Sequence, residues 1–280
     1  PRCWRLLGIP EHAFESSSLM VNILNPEFRE ALNSGRVLRG IFNSLPCPSV
    51  IEICAQVGFD FIVHDNEHGS SSIETTEHIL RASAIYRTPT IVRCFEQEIP
   101  RVLDCGAIGI QVPMVQTPEM ADRIARAARY PVPGDLSGTR GCAFSGRAAG
   151  FGLTGGPDHV DRSNASVTVV AMLESESAIA CASEIASVEG IHAVFIGPND
   201  LAHSMGHLNN WLHPEVQNQI ERGLRAIALA GKCPGILSIT AEEDECYRSW
   251  GARYLACTTT GLMTQAFRQA RQGPSKQGQY

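Results

Sequence analysis

Residues 167–200 read VTVVAMLESESAIACASEIASVEGIHAVFIGPND, and the fold is decided here. One apolar run, Val167-Thr168-Val169-Val170-Ala171-Met172-Leu173, stops at Glu174. A second, Ala193-Val194-Phe195-Ile196, turns through Gly197-Pro198-Asn199 and stops at Asp200. Short apolar runs of this kind are buried strands, and residues 178–186 between them have helical spacing. Two carboxylates at the same end of two successive parallel strands point into one place. A divalent metal needs that arrangement.

Working outward, strand-like and helix-like segments alternate from about residue 26 to 273. Strands are expected at 37–42, 61–65, 90–93, 109–112, 167–173, 193–196, 233–238 and 254–257. Helices are expected at 49–57, 73–86, 99–105, 118–129, 178–186, 214–230, 241–250 and 262–271. Thr117-Pro118-Glu119 supplies a capping Thr, a Pro at the first helical position and an acid in the first turn. Gly58, Gly106 and Gly251 stand where helices should end.

Eight strands alternating with eight helices is the pattern of an α/β protein of the (β/α)8 barrel type. A doubly wound open sheet is the alternative, because counting strands does not prove closure. Its nucleotide-binding form would need G-x-G-x-x-G after the first strand, and none is there. Residues 130–166, rich in Gly, Pro and Ser, are too long for a plain connector, which marks a functional or disordered loop. The expected organisation is an N-terminal arm (1–26), a single barrel domain (27–273) and a flexible tail (274–280).

Composition is consistent with this reading. The 280 residues are 44% hydrophobic and 19% charged, enough for a sizeable core and too apolar for wholesale disorder. A net charge of −6 and no basic stretch argue against nucleic acid as a partner. No apolar run approaches the roughly 20 residues of a membrane span. No signal peptide is legible, although a chain beginning at Pro1 leaves an upstream segment open. The ten cysteines are scattered, with no Cys-x-x-Cys or zinc spacing, and indicate a reducing compartment, the cytoplasm. Cys142, in a Gly-rich loop, is a weak candidate nucleophile.

Barrel chemistry collects at the C-terminal ends of the strands. The second strand ends in Asp65-Asn66-Glu67-His68, the third in Arg93, the fifth in Glu174 and the sixth in Gly197-Pro198-Asn199-Asp200. Glu174 and Asp200 offer hard oxygen ligands with no Cys or His beside them, which favours Mg²⁺ or Mn²⁺ in an open, catalytic type of site. Each acid taken alone also fits a helix cap or first-turn carboxylate. Asp65 could orient the His68 imidazole as a general base, or residues 65–68 could be a simple polar turn. Arg93 would stabilise an oxyanion or clamp a carboxylate, or else form a buried ion pair. Backbone N–H groups after Gly197 suit a substrate carboxylate. His203 and His207 are spaced i, i+4, but Gly206 interrupts the helix and no zincin Glu is present, so that pair is not read as a metal site.

These motifs carry a resemblance. Residues 59–68 match F-D-x-x-x-x-D-x-E-H, and Gly106-Ala107-x-Gly109, Val112-Pro113-Met114-Val115, Arg129-Tyr130-Pro131, Arg140-Gly141, Glu174-Ser175 and Phe195-Ile196-Gly197-Pro198-x-Asp200-Leu201 follow in order. From about residue 33 to 263 the chain resembles the HpcH/HpaI family of metal-dependent pyruvate aldolases, relatives of citrate lyase β and of macrophomate synthase. The resemblance implies a (β/α)8 barrel of the phosphoenolpyruvate/pyruvate type, often hexameric with an exchanged C-terminal helix. It implies Mg²⁺, Mn²⁺ or Co²⁺ on Glu174 and Asp200, chelated by a 2-oxo acid such as pyruvate or oxaloacetate. Arg93 would stabilise the enolate, and His68 and Asp65 would handle protons, with Glu67 supporting them. One departure stands out: relatives usually carry Gln two residues before the metal-binding Glu, where this chain has Met172.

The expected function is a metal-dependent carbon–carbon lyase working through a metal-bound pyruvate enolate. Aldol chemistry on 2-oxo acids and oxaloacetate decarboxylation share that enolate. A macrophomate synthase-type enzyme adding it to a 2-pyrone is the alternative, and a catalytically silent barrel that only binds is a third reading. The electrophile is not legible in the sequence.

Overall fold

The apolar runs pair into one closed sheet. The computed structural model describes residue 24 and residues 26–273, so nearly all of the expected arm and the whole tail lie outside the described residues. The strands are β1 (Leu38–Asn43), β2 (Phe61–Asp65), β3 (Thr90–Arg93), β4 (Gly109–Val112), β5 (Thr168–Leu173), β6 (Ala193–Ile196), β7 (Cys233–Leu237) and β8 (Tyr254–Thr258). They are parallel, each beside the next, and β8 returns to β1 to close a barrel. The open-sheet alternative is thereby excluded.

Twelve α-helices are described: α1 (Glu27–Asn33), α2 (Pro48–Val57), α3 (Ile73–Ile85), α4 (Ile99–Asp104), α5 (Pro118–Ala127), α6 (Pro157–Ser166), α7 (Glu176–Ala180), α8 (Ala182–Ser187), α9 (Pro198–Ser204), α10 (Pro214–Leu229), α11 (Ala241–Ser249) and α12 (Thr259–Arg271). Thr117 caps α5 through the Met120 N–H. Gly58, Gly106 and Gly251 all adopt positive φ, as helix-ending glycines do. The single helix expected at 178–186 is two pieces, because Cys181 leaves helical geometry at φ −99°, ψ 13°. It also starts earlier, where the Ser175 hydroxyl accepts from the Ala178 N–H.

Side chains alternate across the barrel wall. Ile41 and Ile62 face outward onto Ile51 of α2 and Ile79 of α3. Phe61, Val63, Ile91, Val170, Met172, Phe195 and Tyr254 fill the interior. Phe61 and Tyr254, the first residues of β2 and β8, stack at 4.3 Å. Phe28 and Leu32 of α1 join them, with the Phe28 ring 5.6 Å from that of Phe61. The N-terminal mouth is therefore plugged by apolar side chains, and the interior opens at the other end.

Residues 130–166 are not a loose loop. They contain a 3-10 segment (Arg147–Gly152) and α6. The buried Arg140 donates to Asp104 Oδ1 at 2.7 Å and Ser163 Oγ at 3.0 Å, with its guanidinium 4.4 Å from the Tyr130 ring centre. Asn164 bonds both the N–H and the carbonyl of Tyr130. At the far end, α12 has one buried residue, Thr259, while Leu262 and Phe267 are exposed.

Candidate active site

A cavity of about 390 Å³ lies at the C-terminal ends of the strands. Its walls carry Asp65 at the end of β2 and His68 after it, Arg93 of β3, Gly197, Pro198, Asn199 and Asp200 after β6, and Ser44, Thr258 and Thr260 from the β1 and β8 ends. Phe42, Met172, Phe195 and Leu237 form an apolar floor. No residue of 130–166 lines this cavity. Cys142 is exposed and outside it.

Strand register builds the first constellation. Asp65 and Arg93 are direct partners across β2 and β3. Arg93 Nε donates to Asp65 Oδ1 at 2.8 Å, and Nη2 to Oδ2 at 2.6 Å. This bidentate geometry fixes the guanidinium plane. Arg93 Nη1 also lies 3.2 Å from Glu67 Oε2, an ion pair without hydrogen-bond alignment, and the guanidinium sits 5.3 Å over the Phe42 ring. Burial alone would raise the Asp65 carboxyl, but Arg93 and the backbone N–H groups of His68 and Glu67 hold it below the usual carboxylate range. Burial pushes Glu67 up, more than Arg93 pulls it down.

Asp65 does not orient the His68 ring. Its oxygens are taken by Arg93 and by two backbone N–H groups. The His68 side chain is 64% exposed, with Nε2 3.8 Å from Glu67 Oε2. Adjacency in sequence suggested the Asp–His pairing; the β2–β3 register gives the carboxylate to Arg93 instead.

Glu174 is 7% exposed and accepts from the Met114 N–H at 2.6 Å. Met114 sits at φ 57°, a left-handed conformation costly for a side-chain-bearing residue. Glu174 does not cap α7, because Ser175 does. The capping alternative therefore fails for Glu174. Asp200 does fall in the first turn of α9, a place that suits a carboxylate in its own right. Burial, with the like charges of Glu67 and Asp200, pushes the Glu174 carboxyl up to about 7. A proton or a cation relieves such an acid, and the oxygen-only donor set of Glu174 and Asp200 fits a divalent ion. A side chain on Gly197 would place its Cβ 2.8 Å from Glu174 Cγ, so the β6 end can only be glycine while Glu174 stays where it is.

Sequence reasoning missed Ser44, Leu237, Thr258 and Thr260. Thr258 ends the eighth strand and Thr259-Thr260 follow it, so the same strand-end rule applied there would have found two of them.

The chain belongs to the HpcH/HpaI aldolase/citrate lyase family. The family model matches residues 38–266. A 2-keto-3-deoxy-L-rhamnonate aldolase of Escherichia coli (strain K12) is 35% identical over 270 residues, covering 92% of this chain and 99% of the relative. A hydroxypyruvate/pyruvate aldolase of Delftia acidovorans is 36% identical, covering 88% and 89%. The crystal structure of a family member from Burkholderia cenocepacia J2315 superposes with a TM-score of 0.84 at 32% identity, covering 89% of this chain and 98% of that one. Macrophomate synthase shares the fold, with a TM-score of 0.73 at 22% identity over 95% of this chain and 98% of its own. This chain is thus an enzyme of the aldolase type, a carbon–carbon lyase, and its acids suit the metal dependence of such a lyase.

Proposed function

We propose that the enzyme cleaves or forms a carbon–carbon bond next to a 2-oxo acid, with pyruvate as the donor fragment and its enolate as intermediate. Arg93 and Asp200 line the cavity, and the buried Glu174, although it does not line it, feels the charges of both; that meeting carries this reading. Glu174 and Asp200 would hold the divalent ion (Mg²⁺, Mn²⁺ or Co²⁺), which when bound acts as a Lewis acid on the keto oxygen. The other tasks fall to the chain. Arg93, already fixed by Asp65 and Glu67, presents positive charge where the enolate develops and pays little reorganisation. The turn Gly197-Pro198-Asn199-Asp200 receives the substrate carboxylate, with first-turn N–H groups of α9 that have no helical partner. His68, at the exposed mouth, takes or returns the acceptor hydroxyl proton, directly or through water. The floor of Phe42, Met172, Phe195 and Leu237 keeps water from beneath the enolate carbon.

The test is pyruvate release from 4-hydroxy-2-oxo acids with Mg²⁺ or Mn²⁺, followed by chelation. Activity should vanish with chelator, and Arg93→Lys should lower kcat by on the order of 10²–10³. No turnover of any such acid would overturn the reading.

A second reading is oxaloacetate decarboxylation, with or without transfer of the enolate to a 2-pyrone as in macrophomate synthase. It is favoured by the exposed His68 ring that Asp65 does not hold, since decarboxylation needs no base, and by Met172 in the floor. Faster turnover of oxaloacetate than of any hydroxy-oxo acid would select it. The silent-barrel reading is set aside by the aldolase relatives.

We also propose the arm, barrel and tail organisation, a cytoplasmic location, and a homo-hexamer exchanging C-terminal helices. The exposed apolar side chains of α12 support the exchange.

A further inference from the structure

Helix α9, which carries Asp200, ends at Ser204, and the chain returns to α10 through residues 205–213. Gly206 (φ 79°) and Asn209 (φ 56°) turn this connection sharply. The turn brings His207, His213 and Glu215 together, with one ligand atom of each within 4.8 Å of the others. His207 Nε2 lies 2.8 Å from Glu215 Oε2. The two imidazoles stack with ring centres 3.7 Å apart. His213 Nδ1 accepts from the Glu215 N–H at 3.3 Å and so caps α10, which puts the neutral ring's proton on Nε2. Neither imidazole is fully exposed, and Glu215 stands at the surface.

We propose that His207, His213 and Glu215 form a second divalent-cation site, separate from the cavity and selective for a borderline ion such as Zn²⁺. Two imidazole nitrogens and one carboxylate oxygen suit Zn²⁺, Co²⁺ or Ni²⁺, whereas Mg²⁺ prefers the oxygen-only set of Glu174 and Asp200. Three protein ligands at the surface leave a fourth tetrahedral position for water. Capping α10 accounts for His213 Nδ1 and the bond to Glu215 accounts for His207 Nε2, but neither accounts for two imidazoles stacked beside one carboxylate. Binding requires the stacked rings to open by side-chain rotation and His213 to give up its cap, either by binding through Nδ1 or by moving its proton there, so that one nitrogen of each ring addresses the ion. The bound ion would tie the α9–α10 connection to the first turn of α10, and its binding energy would add to the stability of the fold.

The test is calorimetric titration of Zn²⁺ into the full chain with saturating Mg²⁺, in wild type, His207→Gln, His213→Gln and Glu174→Gln. One Zn²⁺ per chain is expected in wild type and in Glu174→Gln. Losing a direct ligand should weaken binding by on the order of tenfold or more in each His variant, since even outer partners of a metal site cost that much. Thermal unfolding should shift upward with Zn²⁺ in wild type and Glu174→Gln and not in the His variants, whose folding circular dichroism would verify. Zn²⁺ uptake unchanged by both His substitutions, or no stoichiometric uptake by wild type, would overturn the site.

Discussion

At the scale of single residues, the active-site acids are set by what lies against them rather than by their own types. Gly197 is the clearest case. Its φ of −86° is ordinary for any residue, so Gly197→Ala strains nothing locally, yet the new methyl would meet Glu174. The expected outcome is a folded protein by circular dichroism with divalent-metal affinity weakened at least tenfold in calorimetry; unchanged affinity would show that Glu174 is not a ligand. His64 behaves differently. It is fully buried on the outward side of β2, its Nδ1 is 3.4 Å from the Asn43 amide nitrogen, and burial lowers its pKa to about 4. Below the ordinary value near 6.5, the unfolded chain takes up a proton that the folded ring refuses. Stability is therefore full above that value and is lost as pH falls toward 4. At pH 5 the loss from this one group is about 2 kcal/mol. Denaturant unfolding of wild type and His64→Gln at pH 7 and pH 5 checks the sign: the variant should lose about 2 kcal/mol less on acidification.

At the scale of elements, the alternation of apolar runs with capped helical patterns was enough to find every strand, because periodicity and capping are local. Local signals also failed in a local way. The break at Cys181 and the 3-10 segment inside 130–166 depend on what those residues pack against. Arg140 shows the cost of that dependence. Read in sequence it belonged to a Gly- and Pro-rich loop; folded, it is the anchor holding that connector to Asp104, Ser163 and Tyr130. Arg140→Ala would leave those partners without their cation and should destabilise by about 1–3 kcal/mol, because the partly exposed Asp104 can regain water. Limited proteolysis should then cut within 130–166 first, while kcat is kept, since no residue of that stretch lines the cavity. Loss of kcat with stability intact would mean that the connector takes part in chemistry.

At the scale of the whole molecule, α12 is itself largely exposed, and its Leu262 and Phe267 offer apolar surface to a partner. Phe267→Glu is expected to shift the mass measured by light scattering toward smaller species; an unchanged mass would sink the exchanged-helix arrangement. The sequence by itself determined that strands and helices alternate eight times, and that Asp65, His68, Arg93, Glu174 and Asp200 fall at strand ends, because these follow from periodicity and from the parallel direction of the strands. Closure of the sheet, the pairing of Asp65 with Arg93 instead of His68, and the burial that, with nearby like charges, raises Glu174 come only from the tertiary structure. Each depends on register between strands remote in sequence, and on burial, and neither quantity is carried by any single stretch of chain.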